Sequence, residues 1–275
     1  MTQQLEEIIG NYDALIVDLW GVIHDGTTLY PGVAETLRVL HELNKPVVFL
    51  SNAPRVSNKA RKNLVALNIP DNHYLDIVTS GQVAHDLLAA TPAQKKYYYL
   101  GPGKDEDILD DLLNYTRVEE PQEADFILNT GYEFDGQPHE EIVPLLLQLL
   151  PLPLLCANPD MEVVKQDGSH FMCAGAVAAE YTRLGGKVAY IGKPFPDVYR
   201  VAKAMLGTGR FLAVGDNPAT DIKGANDAGI DSLLITGGVL SARYGNSISE
   251  ADAREVCRIA GVSPTYVLSG FRLAA

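Results

Sequence analysis

Short, largely apolar runs alternate with amphipathic stretches through most of the 275 residues. Residues 14–17, 46–50, 75–79, 187–191, 211–214, 232–235 and 266–268 read as strands. Residues 33–43, 57–67, 82–90, 196–206 and 249–260 read as helices, and another opens at Thr220 or Asp221 and runs to 228. Apolar positions 33, 37, 40 and 43 show the spacing of one helical face. A strand that is apolar on both faces must be covered on both faces. Such strands separated by helices make a parallel sheet with helices on each side. The expected fold class is therefore α/β, with a Rossmann-like parallel sheet as its core.

The middle of the chain has the same character. Residues 97–100, 126–128, 152–156 and 162–165 read as strands, and 105–113, 140–150 and 175–184 as helices. The most apolar stretch, 143–157, is interrupted by Pro144, Pro151 and Pro153 and is too short to span a bilayer. Lys plus Arg total 22 against 35 Asp plus Glu, a net charge of −13. That sign repels phosphate backbones and anionic lipids, so neither a nucleic acid nor a membrane is expected as a partner. Cys156, Cys173 and Cys257 are odd in number and widely spaced, which fits buried thiols and not a disulfide framework or zinc site. Residues 1–7 are polar and acidic and do not read as a signal peptide. A cytoplasmic location is the expectation.

Polar residues gather at strand ends. Asp18, Ser51-Asn52 and Gly215-Asp216-Asn217 each follow directly on an apolar run, and Asp221 comes five residues after Asp216. In an open parallel sheet, ligands bind at the carboxyl ends of the strands. Two carboxylates converging there repel each other unless a cation sits between them, and a hard ion with oxygen ligands, Mg²⁺, suits them. Lys193, between Gly192 and Pro194, adds a cation that next to a phosphate would neutralise one oxygen. There is no Walker A loop, GxSxG elbow or HExxH.

In this order the motifs resemble the haloacid dehalogenase (HAD) superfamily, and within it the NagD-like, class IIA branch. The stretches that carry the likeness are Asp18-Leu19-Trp20-Gly21-Val22-Ile23 with Gly26, Asn158-Pro159-Asp160, and Gly192-Lys193-Pro194 through Gly215-Asp216-Asn217-Pro218-Ala219-Thr220-Asp221-Ile222. The resemblance implies a catalytic core of residues 1–82 and 189–275 and an α/β cap of residues 83–188 that moves as a unit over the site. It implies a Mg²⁺-dependent phosphatase acting on a small phosphorylated metabolite, with a homodimer through the cap as a further implication. Asp18 is then the nucleophile. Ser51, Asn52 and Lys193 hold the phosphoryl group. Asp18, the Trp20 carbonyl, Asp216 and Asp221 form the metal site. Asn158 and Asp160 reach the core from the cap side, although a turn closed by an Asn cap explains them equally well.

One position departs from the family pattern. The aspartate that normally follows the nucleophile by two residues, and serves as acid and base, is Trp20 here. An indole cannot transfer protons at ordinary pH. His24 and Asp25 are the candidates for a substitute, with a purely structural role in their loop as the competing reading. A non-phosphatase hydrolase of the same superfamily and a weakly active phospholigand-binding protein are the alternatives that this substitution leaves open.

Overall fold

A computed structural model describes residues 4–91, 93–165, 167–245 and 248–274. Its main sheet has six parallel strands in the order Tyr266–Leu268, Asp231–Ile235, Phe211–Gly215, Ala14–Val17, Val47–Ser51 and Asp76–Thr79. The first strand is central. The chain builds outward from it on one side, then returns to build on the other. The loops leaving Ala14–Val17 and Phe211–Gly215 therefore diverge, and a crevice opens between them. Register puts Val17 beside both Val214 and Phe49, so Asp18 and Asp216 emerge at the same edge.

Alternate residues of each strand serve two buried clusters. Leu15 and Val17 pack with Phe49, Val214, Leu37 and Leu64 on one face. Ala14 and Ile16 pack with Val48, Leu50 and Val78 on the other. This is why the strands read as continuous apolar runs. Among the described residues no helix is long and apolar enough to cross a membrane.

Between the third and fourth strands of this sheet in chain order lies an insertion with a sheet of its own. Five parallel strands run in the order Val188–Tyr190, Leu154–Cys156, Phe126–Asn129, Lys95–Leu100 and Tyr115–Val118. An antiparallel hairpin, Glu162–Val164 with His170–Met172, stands apart from it.

Several expectations need correction here. The strand near 187–191 pairs with Leu154–Cys156, so the inserted sheet continues through Tyr190 and a core starting at 189 is one strand-end too early. The division at 82/83 falls inside a continuous helix, Ser80–Ala89, capped by Thr79. The stretch expected as a helix over 105–113 is a 3₁₀ run, Gly103–Leu109. The strand at 162–165 is one arm of the hairpin, and Tyr115–Val118 was not expected at all. The helix expected over 57–67 opens at Ser57, whose hydroxyl donates to the Ile77 carbonyl at 2.7 Å. The helix expected from 220 or 221 is a π turn, Pro218–Ile222, followed by Lys223–Asp227.

The expectation that the insertion swings as a unit also meets a contrary finding. One buried cluster runs from Ile16 and Leu50 through Val83 and Ala84 to Tyr97, Tyr99 and Leu128 of the inserted sheet. A continuous apolar interface of this kind opposes independent motion of the two sheets.

Candidate active site

Asp18 leaves the central strand with its N–H bonded to the Val214 carbonyl at 2.8 Å. Lys193 follows the inserted strand Val188–Tyr190, and its side chain reaches back into the crevice. Its Nζ lies 2.6 Å from Asp18 Oδ1 and 2.7 Å from Asp221 Oδ1, with all three residues buried. Oxygens of Asp18, Asp216 and Asp221 all lie within 4.8 Å of one another. The second Asp221 oxygen accepts from the Asn217 N–H at 3.1 Å, and Asp216 Oδ2 from the Val239 N–H at 2.6 Å. Gly21, at φ +88°, passes so close that a Cβ there would stand 2.1 Å from Asp216 Oδ2.

Three carboxylates against one ammonium leave this buried cluster with excess negative charge. Burial drives Asp18 well above the usual carboxylate range; Lys193 opposes the shift, and Asp221 and Asp216 add to it. Asp216 is pushed up to about 7, by burial first and then by Asp221. Burial disfavours the Lys193 charge, but Asp18 and Asp221 outweigh it and hold the ammonium firmly protonated. An all-oxygen donor set with uncompensated negative charge fits a hard divalent cation.

Asn52 braces the site. Its Oδ1 accepts from the Lys193 N–H at 2.7 Å, and its Nδ2 donates to the Lys193 carbonyl at 3.1 Å and to Asp160 Oδ1 at 2.9 Å. Asn158 Oδ1 accepts from the Asp160 N–H at 3.0 Å, which is the Asn-closed turn that the sequence also allowed. Burial pushes Asp160 up to about 6, against the pull of Lys193 and Asn52. Ser51 is buried, and its Oγ accepts from the Ala53 N–H at 3.2 Å.

The family models described as haloacid dehalogenase-like hydrolase and HAD-hydrolase-like match residues 15–112 and 190–272. The solved structure of a haloacid dehalogenase-like hydrolase from Brucella suis is 32% identical, covers 98% of this chain and 99% of its own, and superposes with a TM-score of 0.83. The chain belongs to the haloacid dehalogenase-like hydrolases. Curated relatives place it in the NagD-like branch. The ribonucleotide monophosphatase NagD of Escherichia coli is 26% identical over 82% of this chain and 88% of its own length. The sugar-phosphatase AraL of Bacillus subtilis is 26% identical over 84% of this chain and 85% of its own.

Trp20 stands where the family resemblance leads one to expect an aspartate. The Trp20 indole N–H donates to the Val164 carbonyl of the hairpin at 2.8 Å. His24 Nδ1 accepts from the Gly26 N–H at 2.9 Å. Burial, with Arg55 adding to it and Asp25 opposing, lowers His24 to about 4, so the ring is neutral near pH 7. Burial alone would raise Asp25, but the amides and hydroxyls of Thr27 and Thr28, all bonded to its Oδ1, hold it below the usual carboxylate range. Both side chains are thus engaged by hydrogen bonds within their own loop.

A cavity of about 410 Å³ opens above the carboxylates, lined by Trp20, Ser51, Asn158 and Lys193 and walled by Phe171 and Arg55. Arg55 and Asp105 were not found from the sequence. They pair at 3.2 Å across the two sheets, with Asp105 only 2% exposed. Nothing in the spacing marks them, because 50 residues separate the partners. The Val239 N–H on Asp216 is a backbone group and leaves no signal in side-chain identity.

Proposed function

We propose that this HAD hydrolase is a Mg²⁺-dependent phosphatase that cleaves a small phosphorylated metabolite through an aspartyl-phosphate on Asp18. The observation that carries the reading is the Lys193 ammonium bridging Asp18 and Asp221 beside Asp216, at the foot of the cavity. The named activities of the relatives, both phosphatases, support it.

Asp18 attacks phosphorus with a carboxylate oxygen. The P–O bond to the leaving alcohol breaks, and its electron pair departs with the alcohol oxygen. Water then attacks the phosphorus of the aspartyl-phosphate, releasing inorganic phosphate and restoring the carboxylate. Lys193 stabilises the charge that builds on the phosphoryl oxygens. The Ser51 hydroxyl and Asn52 amide hold those oxygens, while the Asn52 side chain fixes the Lys193 backbone. Asp18, the Trp20 carbonyl and Asp216 would hold Mg²⁺, which would supply neutralisation of that same charge. Asp221 orients Lys193. The insertion, with its hairpin, serves as the cap that selects the substrate.

With indole at the acid position, the departing oxygen receives no proton from residue 20. Such protonation is typically worth about 10²–10⁴-fold. Leaving groups that are stable as anions are therefore favoured, and aryl and acyl phosphates should exceed sugar phosphates in kcat/KM. The test is a panel of phosphate monoesters with graded leaving-group pKa, each assayed with Mg²⁺ and with chelator. Turnover that needs Mg²⁺ and rises steeply as leaving-group pKa falls is expected. Turnover indifferent to Mg²⁺ overturns the metal assignment, and a flat dependence on leaving-group pKa shows that a proton donor operates.

A further inference from the structure

The hairpin over the cavity is too small to hold its own shape. Each arm has three residues, Glu162–Val164 and His170–Met172, and an isolated two-stranded ribbon is marginal in water even when longer. It also stands outside the five-stranded sheet. Its position must come from ties to the rest of the chain. Arg243 holds one, donating to Glu162 Oε1 at 2.5 Å. A second is the indole N–H of Trp20 on the Val164 carbonyl at 2.8 Å.

The loop after Asp18 is built around that indole. Gly26 lies against the ring at φ +95°, and a Cβ there would fall 2.7 and 2.8 Å from two ring carbons. His24 meets the ring edge-on at 6.1 Å between centroids. The Asp25–Thr27–Thr28 turn closes the same loop. What the tie positions is a wall of the site: Phe171, with the Lys165 ammonium 4.8 Å over its ring, and both residues line the cavity with Trp20.

We infer that Trp20 is a positioning residue: it fastens the 162–172 hairpin to the nucleophile loop, so that the residue standing at the acid position sets the substrate-facing wall instead of moving a proton. The expected effect on substrate binding rests on the phosphatase reading above; the tie itself does not.

The chain has a single tryptophan, so biosynthetic replacement of tryptophan by its benzothienyl isostere removes this one N–H and keeps the ring shape. One net hydrogen bond corresponds to a change of about fivefold. Amides of Glu162–Val164 and His170–Met172 should exchange with deuterium about fivefold faster than in the normal protein. For 4-nitrophenyl phosphate with Mg²⁺, kcat/KM should fall by about the same factor, with most of the loss in KM. Trp20→Phe, which keeps a ring but not the donor, should give the same pattern. Unchanged exchange in the hairpin overturns the tie. Faster exchange with unaltered kcat/KM overturns the positioning role. If the normal protein hydrolyses no phosphate ester, the phosphatase reading fails, and hydrogen exchange still decides whether Trp20 holds the hairpin.

Discussion

Asp18 and Lys193 show how far a single side chain matters here. Asp18→Asn keeps the shape of the nucleophile but replaces it with a far weaker one. We expect phosphatase turnover to be lost while the melting temperature is kept or rises, since one of three crowded carboxylates is gone; retained turnover would remove Asp18 from the nucleophile role. Lys193→Met acts in the opposite direction. It strands Asp18 and Asp221 without their counter-charge, and breaking a buried pair in this way costs about 3–5 kcal/mol. Urea titration without added metal measures the loss, and saturating Mg²⁺ should recover part of it. Both residues were legible in the sequence because each ends a strand next to a recognisable motif. The brace from Asn52 to the Lys193 backbone was not, since 141 residues separate them.

At the scale of elements, the helix Ser80–Ala89 is the joint between the two sheets. Its cap, Thr79, accepts from the Gln82 N–H at 3.1 Å and donates to the Arg55 carbonyl at 2.6 Å. Thr79→Ala removes both bonds. A loss of about 1–2 kcal/mol is expected by chemical denaturation, the upper end of a cap deletion; a loss near zero would mean that the cap is replaced by water. The sequence placed most strands and helices to within a few residues. It found one arm of the hairpin but missed His170–Met172, because a three-residue arm is too short to show a period. It placed Val188–Tyr190 as a strand but in the wrong sheet, because local pattern specifies extended backbone and not the neighbour that pairs with it.

The whole molecule should respond to pH through its buried acids. Asp160 and Asp216 are raised to about 6 and about 7, so both hold a proton more tightly folded than unfolded. Stability that is present near pH 4 is then lost as pH rises through 6 to 7. Without divalent cation, the melting temperature should fall across that window. Mg²⁺ should raise it more at about pH 7.5 than at about pH 5, because the ion binds the ionised carboxylates. Scanning calorimetry at both pH values, with and without Mg²⁺, checks both trends; a flat profile without metal would contradict the charge frustration described here. The cluster shared by the two sheets leads to a further expectation. Core and insertion should unfold in one calorimetric transition, whereas two resolved transitions would show that they are independent.

By itself the sequence determined the α/β class, the parallel core sheet and the acidic and basic residues at its edge. Apolar periodicity and strand-end chemistry are local, and local patterns are written in consecutive residues. It also exposed the missing acid, since Trp20 stands plainly two residues after Asp18. Only the tertiary structure decided which carbonyl that indole meets and which sheet owns Val188–Tyr190. Those outcomes depend on partners far apart in the chain, such as Trp20 and Val164, 144 residues from each other. Contacts of that kind arise when packing brings distant segments together, and no spacing within either segment encodes them.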